Sequence, residues 1–155
     1  MMTVYPYQRT LAAPVQFEGV GVHSGKTAHL TIKPAPVNHG IKFVRTDLQG
    51  TPCVTGHFNR VVDTSLATVL GEEGCIVSTV EHVMATLSGL AIDNALIEVD
   101  TYELPILDGS AGPFTHSIRS IGIVTQDRPR CYFVVTAPIE ISENGKKVGI
   151  YPDDT

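Results

Sequence analysis

Glu81 and His82 stand side by side in the stretch STVEHVMATLSG, residues 78–89. A carboxylate beside an imidazole suits proton transfer, or a metal ligand with a base alongside it. A structural reading competes with this one. Ser78, three residues before Glu81 and ahead of an apolar helix, completes the capping-box pattern, in which the serine hydroxyl and the glutamate carboxylate each take an unpaired backbone N–H. On that reading Glu81 contributes about 1 kcal/mol of helix stability and no chemistry.

The 3.6-residue period predicts a helix over residues 79–88 with Val80, Val83, Met84, Leu87 and Leu90 on its core face. His82 shares its side with Ala85, Thr86 and Gly89, small groups that leave an imidazole room to meet a metal or a ligand. Glu81 lies about 100° round the helix from His82, beside such a metal without having to bind it. The familiar zinc patterns are half matched. HxxEH requires histidine where Ser78 stands, and HExxH runs in the opposite order. One histidine does not hold a catalytic zinc, which takes three protein ligands and water. The spacing of these residues leaves both readings open.

Two glycine-rich stretches fail as phosphate or nucleophile motifs. In Gly19-Val20-Gly21-Val22-His23-Ser24-Gly25-Lys26-Thr27 the first glycine of a P-loop would have to stand at Val20, and strand alternation rather than a helix follows. A turn between two strands is expected there, with His23 free to project from among the glycines. Asp108-Gly109-Ser110-Ala111-Gly112-Pro113 has aspartate at the first glycine of a GxSxG elbow, so tight-turn and helix-start chemistry is expected instead. His29, His39, His57 and His116 have no partner at ligand spacing and are expected on the surface or in turns.

The elements that position these residues follow from hydrophobic period. Residues 27–33 alternate with Ala28, Leu30 and Ile32 on one side, and strands are also expected over 41–45, 68–70, 75–77 and 95–99. A second helix is predicted over residues 113–121, with Pro113 in its first turn, Gly122 past its end, and Phe114, Ile118 and Ile121 on one face. Many strands and two helices in no strict alternation predict an α+β fold: a mixed or antiparallel sheet with both helices packed on one face. The polar stretch 126–130 is the best boundary in the chain, so one domain is expected over residues 1–126 and the beginning of a second over 131–155. Strands are expected there over 131–137, 139–142 and 147–151, the last two joined at Asn144-Gly145. So few strands with no helix to cover them bury no core alone, and the sequence reads as stopping inside that second domain.

Composition excludes several classes. The 155 residues are 43% hydrophobic and 17% charged, with no apolar run long enough to span a membrane and no signal-peptide pattern at the start. The net charge of −5 with scattered basic residues argues against a nucleic-acid partner. Cys53, Cys75 and Cys131 are odd in number and lack a CxxC pair, as in inert thiols of a reducing cytoplasm rather than a disulfide framework.

The segments GVGVHSGK, RTDL, DTSLAT, STVEHVMATLSGLAIDNALIEVD and ELPILDGSAGPF, in this order and spacing, closely resemble the N-terminal half of the UDP-3-O-acyl-N-acetylglucosamine deacetylases. That resemblance implies a cytoplasmic zinc enzyme of the first committed step of bacterial lipid A synthesis, acting on a nucleotide-sugar lipid. It implies that His82 is the first zinc ligand and Glu81 the general base. His23, Leu66 and Ala67 would lie near the substrate, Ala67 standing where some members carry cysteine. The remaining ligands, a histidine and an aspartate, would come from the C-terminal half of the same enzyme. So would the acid histidine, an oxyanion-stabilising threonine and the insert that forms the acyl tunnel. This chain alone would then be inactive. The alternative is a non-catalytic domain or fragment in which Glu81 is only a helix cap.

Overall fold

The computed structural model describes residues 5–153. In chain order it has β1 (Tyr7–Leu11), β2 (Val15–Val20), β3 (Thr27–Pro34), β4 (Ile41–Arg45) and β5 (Cys53–Thr55), then a single 3-10 turn at Phe58–Arg60. There follow β6 (Val61–Asp63), β7 (Val69–Glu72), β8 (Cys75–Ser78), helix α1 (Glu81–Gly89), β9 (Ala95–Val99), helix α2 (Gly112–Ile121), β10 (Ile123–Pro129), β11 (Ile139–Glu143) and β12 (Lys146–Ile150).

Five strands form the main sheet in the order β2-β3-β9-β4-β5. Only the β4–β9 pair is parallel, so the sheet is mixed. Alternation explains why it packs as it does: Ala28, Leu30 and Ile32 of β3, Phe43 of β4, and Ala95, Ile97 and Val99 of β9 are all buried, while their sequence neighbours are not fully so, apart from Asn94. Helix α1 adds Val83 and Leu87 to the same core, and α2 adds Phe114 and Ile118. Phe114 meets Phe17 of β2 edge to face, with ring centroids 4.7 Å apart, a geometry favoured by the ring quadrupole. The α+β expectation therefore holds, with both helices feeding one core.

The strands divide among more sheets than expected. β6-β7-β8 form a small antiparallel sheet, β1 pairs with β10, and β11 pairs with β12. Residues 126–129, expected as a break, belong to β10 and pair with β1, because a two-stranded ribbon accepts polar residues on both faces and a proline at its end. Residues 131–137, expected as a strand, form none; Phe133 and Val134 are exposed, and no ladder satisfies this backbone. The hairpin at Asn144-Gly145 forms as expected, with φ of 49° and 75°, the two positive values that a type I′ turn requires. The predicted helices shift slightly: α1 starts two residues later than expected and α2 one residue earlier.

Candidate active site around Glu81 and His82

The chain enters α1 through a sharp elbow rather than through a serine cap. Ser78 is the last residue of β8 and pairs with Val69. Its N–H donates to the Tyr102 carbonyl at 2.7 Å, and its own carbonyl accepts from the Leu104 N–H at 3.1 Å. A residue held on both sides by strand-like bonds is not free to cap. Thr79 then turns the backbone with φ of 60°, and Val80 is the N-cap, with no side-chain cap bond. The capping box expected from Ser78 and Glu81 is thus absent.

Glu81 turns instead toward the β6–β7 turn, where its Oε1 accepts the backbone N–H of Thr68. Thr68 is fixed in turn, because its carbonyl accepts the Thr79 N–H at 3.1 Å. Partial burial pushes the Glu81 carboxyl up. The Thr68 amide, Glu81's own amide at the helix start, the Thr68 hydroxyl and nearby His82 together outweigh burial and hold it below its ordinary value. Glu81 is therefore held as the carboxylate at neutral pH.

A cavity of about 180 Å³ opens beside it, lined by Gly56, His57, Phe58, Val61, Leu70 and Met84 among others. Its walls are mainly apolar, and Phe58 is 81% exposed at its edge. His57, expected as a surface or turn residue, is exposed and starts the 3-10 turn on this wall. Leu66 and Ala67 precede Thr68 directly in the β6–β7 turn; Leu66 is exposed and Ala67 half-buried. An Asp63 carboxylate accepting the N–H and hydroxyl of Ser65 shapes this turn.

His82 is half-buried one residue along α1. Of its small neighbours, Ala85 and Gly89 are exposed, while Thr86 is buried and donates its hydroxyl to the His82 carbonyl at 2.8 Å and toward the Ala111 carbonyl at 3.3 Å. That contact seats α1 on the start of α2. Asp108 lies in the turn before α2; bonds from the Ser110 hydroxyl and N–H hold its carboxyl below the ordinary value, and the His82 imidazole adds to this. Ser110, expected near the cap of α2, accepts the Gly112 N–H at 3.0 Å. Among the described residues, no three His, Cys, Asp or Glu side chains come together to hold a metal. His82 is a single donor here, not a complete site.

His23 sits exposed in the β2–β3 turn, which closes as expected through Gly21 and Lys26. Its backbone N–H donates at 2.9 Å to Glu103, a buried carboxylate that also accepts the Thr79 hydroxyl at 3.2 Å. Leu66 and Ala67 thus directly precede the Thr68 amide that Glu81 accepts, and the His23 backbone shares Glu103 with the elbow before Glu81. Thr68 closes the DTSLAT segment, but nothing in that segment marks its amide as a partner of Glu81. Glu103 stood within ELPILDGSAGPF, but nothing in that motif marks a buried carboxylate.

The sequence model of the family UDP-3-O-acyl N-acetylglycosamine deacetylase matches residues 8–155. The chain belongs to this family. Relatives named UDP-3-O-acyl-N-acetylglucosamine deacetylase include those of Chromohalobacter salexigens, 45% identical over 145 residues, and Myxococcus xanthus, 46% identical over the same length. That of Shewanella halifaxensis is 46% identical over 147 residues. In each case 94% of this chain is matched but only 46–48% of the relative. The chain spans about half the length of the deacetylases it matches.

Proposed function

We propose that this chain is the N-terminal half of a cytoplasmic zinc-dependent deacetylase that hydrolyses the acetamide of UDP-3-O-acyl-N-acetylglucosamine, the committed step of lipid A synthesis. In this reading Glu81 is the general base and His82 one of the zinc ligands. His23, Leu66 and Ala67 border the substrate. The observation that carries the proposal is the placement of Glu81. Its carboxylate is held by the Thr68 amide at the lip of a cavity, next along the helix to His82, which lies near the Asp108 carboxylate before α2. The alternative, in which Glu81 only caps the helix, leaves its bond to the Thr68 amide outside the helix without a purpose.

The donor set of this chain fits one corner of a zinc site, and the other protein ligands would come from the second half of the enzyme. Zinc, when bound, supplies Lewis acidity at the carbonyl and lowers the pKa of water. What this chain does is more limited. Glu81, at the edge of a mainly apolar cavity, takes a proton at a carboxylate oxygen, and the leaving amine receives its own from the acid histidine of the second half. No helix among the described residues is long and apolar enough to cross a membrane.

A chimera joining residues 1–155 to the remaining half of the Chromohalobacter salexigens relative tests the proposal, with acetate release from UDP-3-O-acyl-N-acetylglucosamine as the readout. Glu81→Gln keeps an oxygen for the Thr68 amide but removes the base, so kcat is expected to fall about 100-fold or more with an unchanged melting temperature. Turnover unaffected by this substitution, or a chimera without turnover, overturns the proposal. The chain alone is expected to retain zinc weakly and to show negligible deacetylation; stoichiometric zinc after dialysis contradicts the shared site.

A further inference from the structure

Glu103 is fully buried, and its partners are all uncharged. Oε1 accepts the His23 N–H at 2.9 Å and the Thr79 hydroxyl at 3.2 Å; Oε2 accepts the Ser24 N–H at 2.7 Å, and the Ser24 hydroxyl adds a further bond. Two successive amides cupping an anion form a nest, which satisfies a carboxylate without a cation. Room for that anion is reserved in the sequence: a Cβ at Gly21 would lie 2.4 Å from Oε2. The backbone of Glu103 is itself pinned, since Ser78 bridges to it as in a parallel pair.

Burying a carboxylate is costly unless every lone pair is used. A glutamine here would meet the donors on one side with its oxygen and oppose those on the other with its NH₂. The charge is therefore needed to hold two separate segments at once: the turn carrying His23, and the elbow at Thr79 two residues before Glu81. The elbow has a β-branched residue at φ of 60°, a strained conformation that persists only where surrounding bonds enforce it.

From these contacts we infer that Glu103 is a positioning residue for the deacetylation: its buried carboxylate sets His23 and the Glu81–His82 pair in register with one another. The inference rests on the proposed function for its catalytic meaning, but its geometry is tested separately.

Amide hydrogen exchange on the 155-residue chain reads the geometry. In Glu103→Gln the amides of His23, Ser24 and Thr68 exchange about tenfold faster or more, while those of Leu30 and Ile97 in the central strands keep their protection. A merely structural role would instead raise exchange across all of them alike, and that outcome overturns the inference. In the chimera the same substitution lowers kcat about 100-fold, the order expected when a reacting group is misplaced by about 1 Å, and leaves KM little changed. Unchanged kcat overturns the inference while leaving the function intact, provided Glu81→Gln still abolishes turnover. Should Glu81→Gln have no effect, the function falls and the exchange pattern alone decides whether Glu103 holds the two segments. If Glu103→Gln does not fold, Thr79→Val decides in the same measurements, since it keeps the side chain's shape and removes the bond between Glu103 and the elbow together with a long contact to the Ser78 hydroxyl. Loss of Thr68 protection and of kcat supports the inference; retention of both overturns it.

Discussion

Glu103 and Glu81 are both carboxylates held below their ordinary pKa, and the consequence differs with burial. For Glu103, burial pushes the pKa up, but bonds from Ser24, His23 and Thr79 outweigh it and leave it below the ordinary 4.5. Because the folded value lies below the unfolded one, its stabilising effect is fully present above about pH 4.5 and is lost as pH falls through the folded pKa. Thermal melts of the chain and of Glu103→Gln between neutral and acidic pH check this. The gap in melting temperature between them is expected to be widest at neutral pH and to narrow on acidification through that range. A gap that stays constant with pH would show that Glu103 does not bind its partners as a charge. At this scale the sequence singled out Glu81 and His82 by adjacency and helical period. It also suggested a serine cap that the structure does not form, because Ser78 is already bonded into β8 and to the Tyr102–Leu104 segment. Local spacing cannot report that a distant segment has claimed a residue's backbone.

Helices α1 and α2 lie together over the core, joined by Thr86 against Ala111 and by shared burial of Leu87, Phe114 and Ile118. Phe114 is fully buried against Phe17, so Phe114→Ala is expected to cost about 3–5 kcal/mol in urea unfolding of the chain. Because α2 supports the side of α1 that bears His82, the same variant in the chimera is expected to weaken zinc retention as well; a destabilised variant with native zinc retention would separate the two helices functionally. Both helices, and β3, β4 and β9, were legible because each carries an uninterrupted apolar period of its own. The edge strands β5 and β6 and the ribbon β1–β10 were not anticipated. They are short or polar, and they become strands only because a partner offers hydrogen bonds, from a neighbouring strand for β5 and β6 and across the length of the chain for β1–β10.

Across the whole molecule, β11 and β12 pair with each other and every residue in them is exposed, including Ile139, Ile141, Val148 and Ile150. A two-stranded hairpin buries too little to hold a fold together. Removing residues 137–155 is therefore expected to shift the melting temperature of the remainder by no more than about 2 °C, as measured by circular dichroism; a larger drop would mean that the hairpin docks on the first sheet. Its apolar side chains lie uncovered among the described residues. By itself the sequence determined the two helices, the central strands, the Asn144-Gly145 turn and the Glu81–His82 pair, since apolar period and turn chemistry act over a few residues. Only the tertiary structure decided that Glu81 is held by the Thr68 amide, that Glu103 is a buried anion, and that the segments carrying His23 and Glu81 meet at it. Those facts depend on backbone N–H groups and on burial, which every sequence position offers equally until the chain has folded.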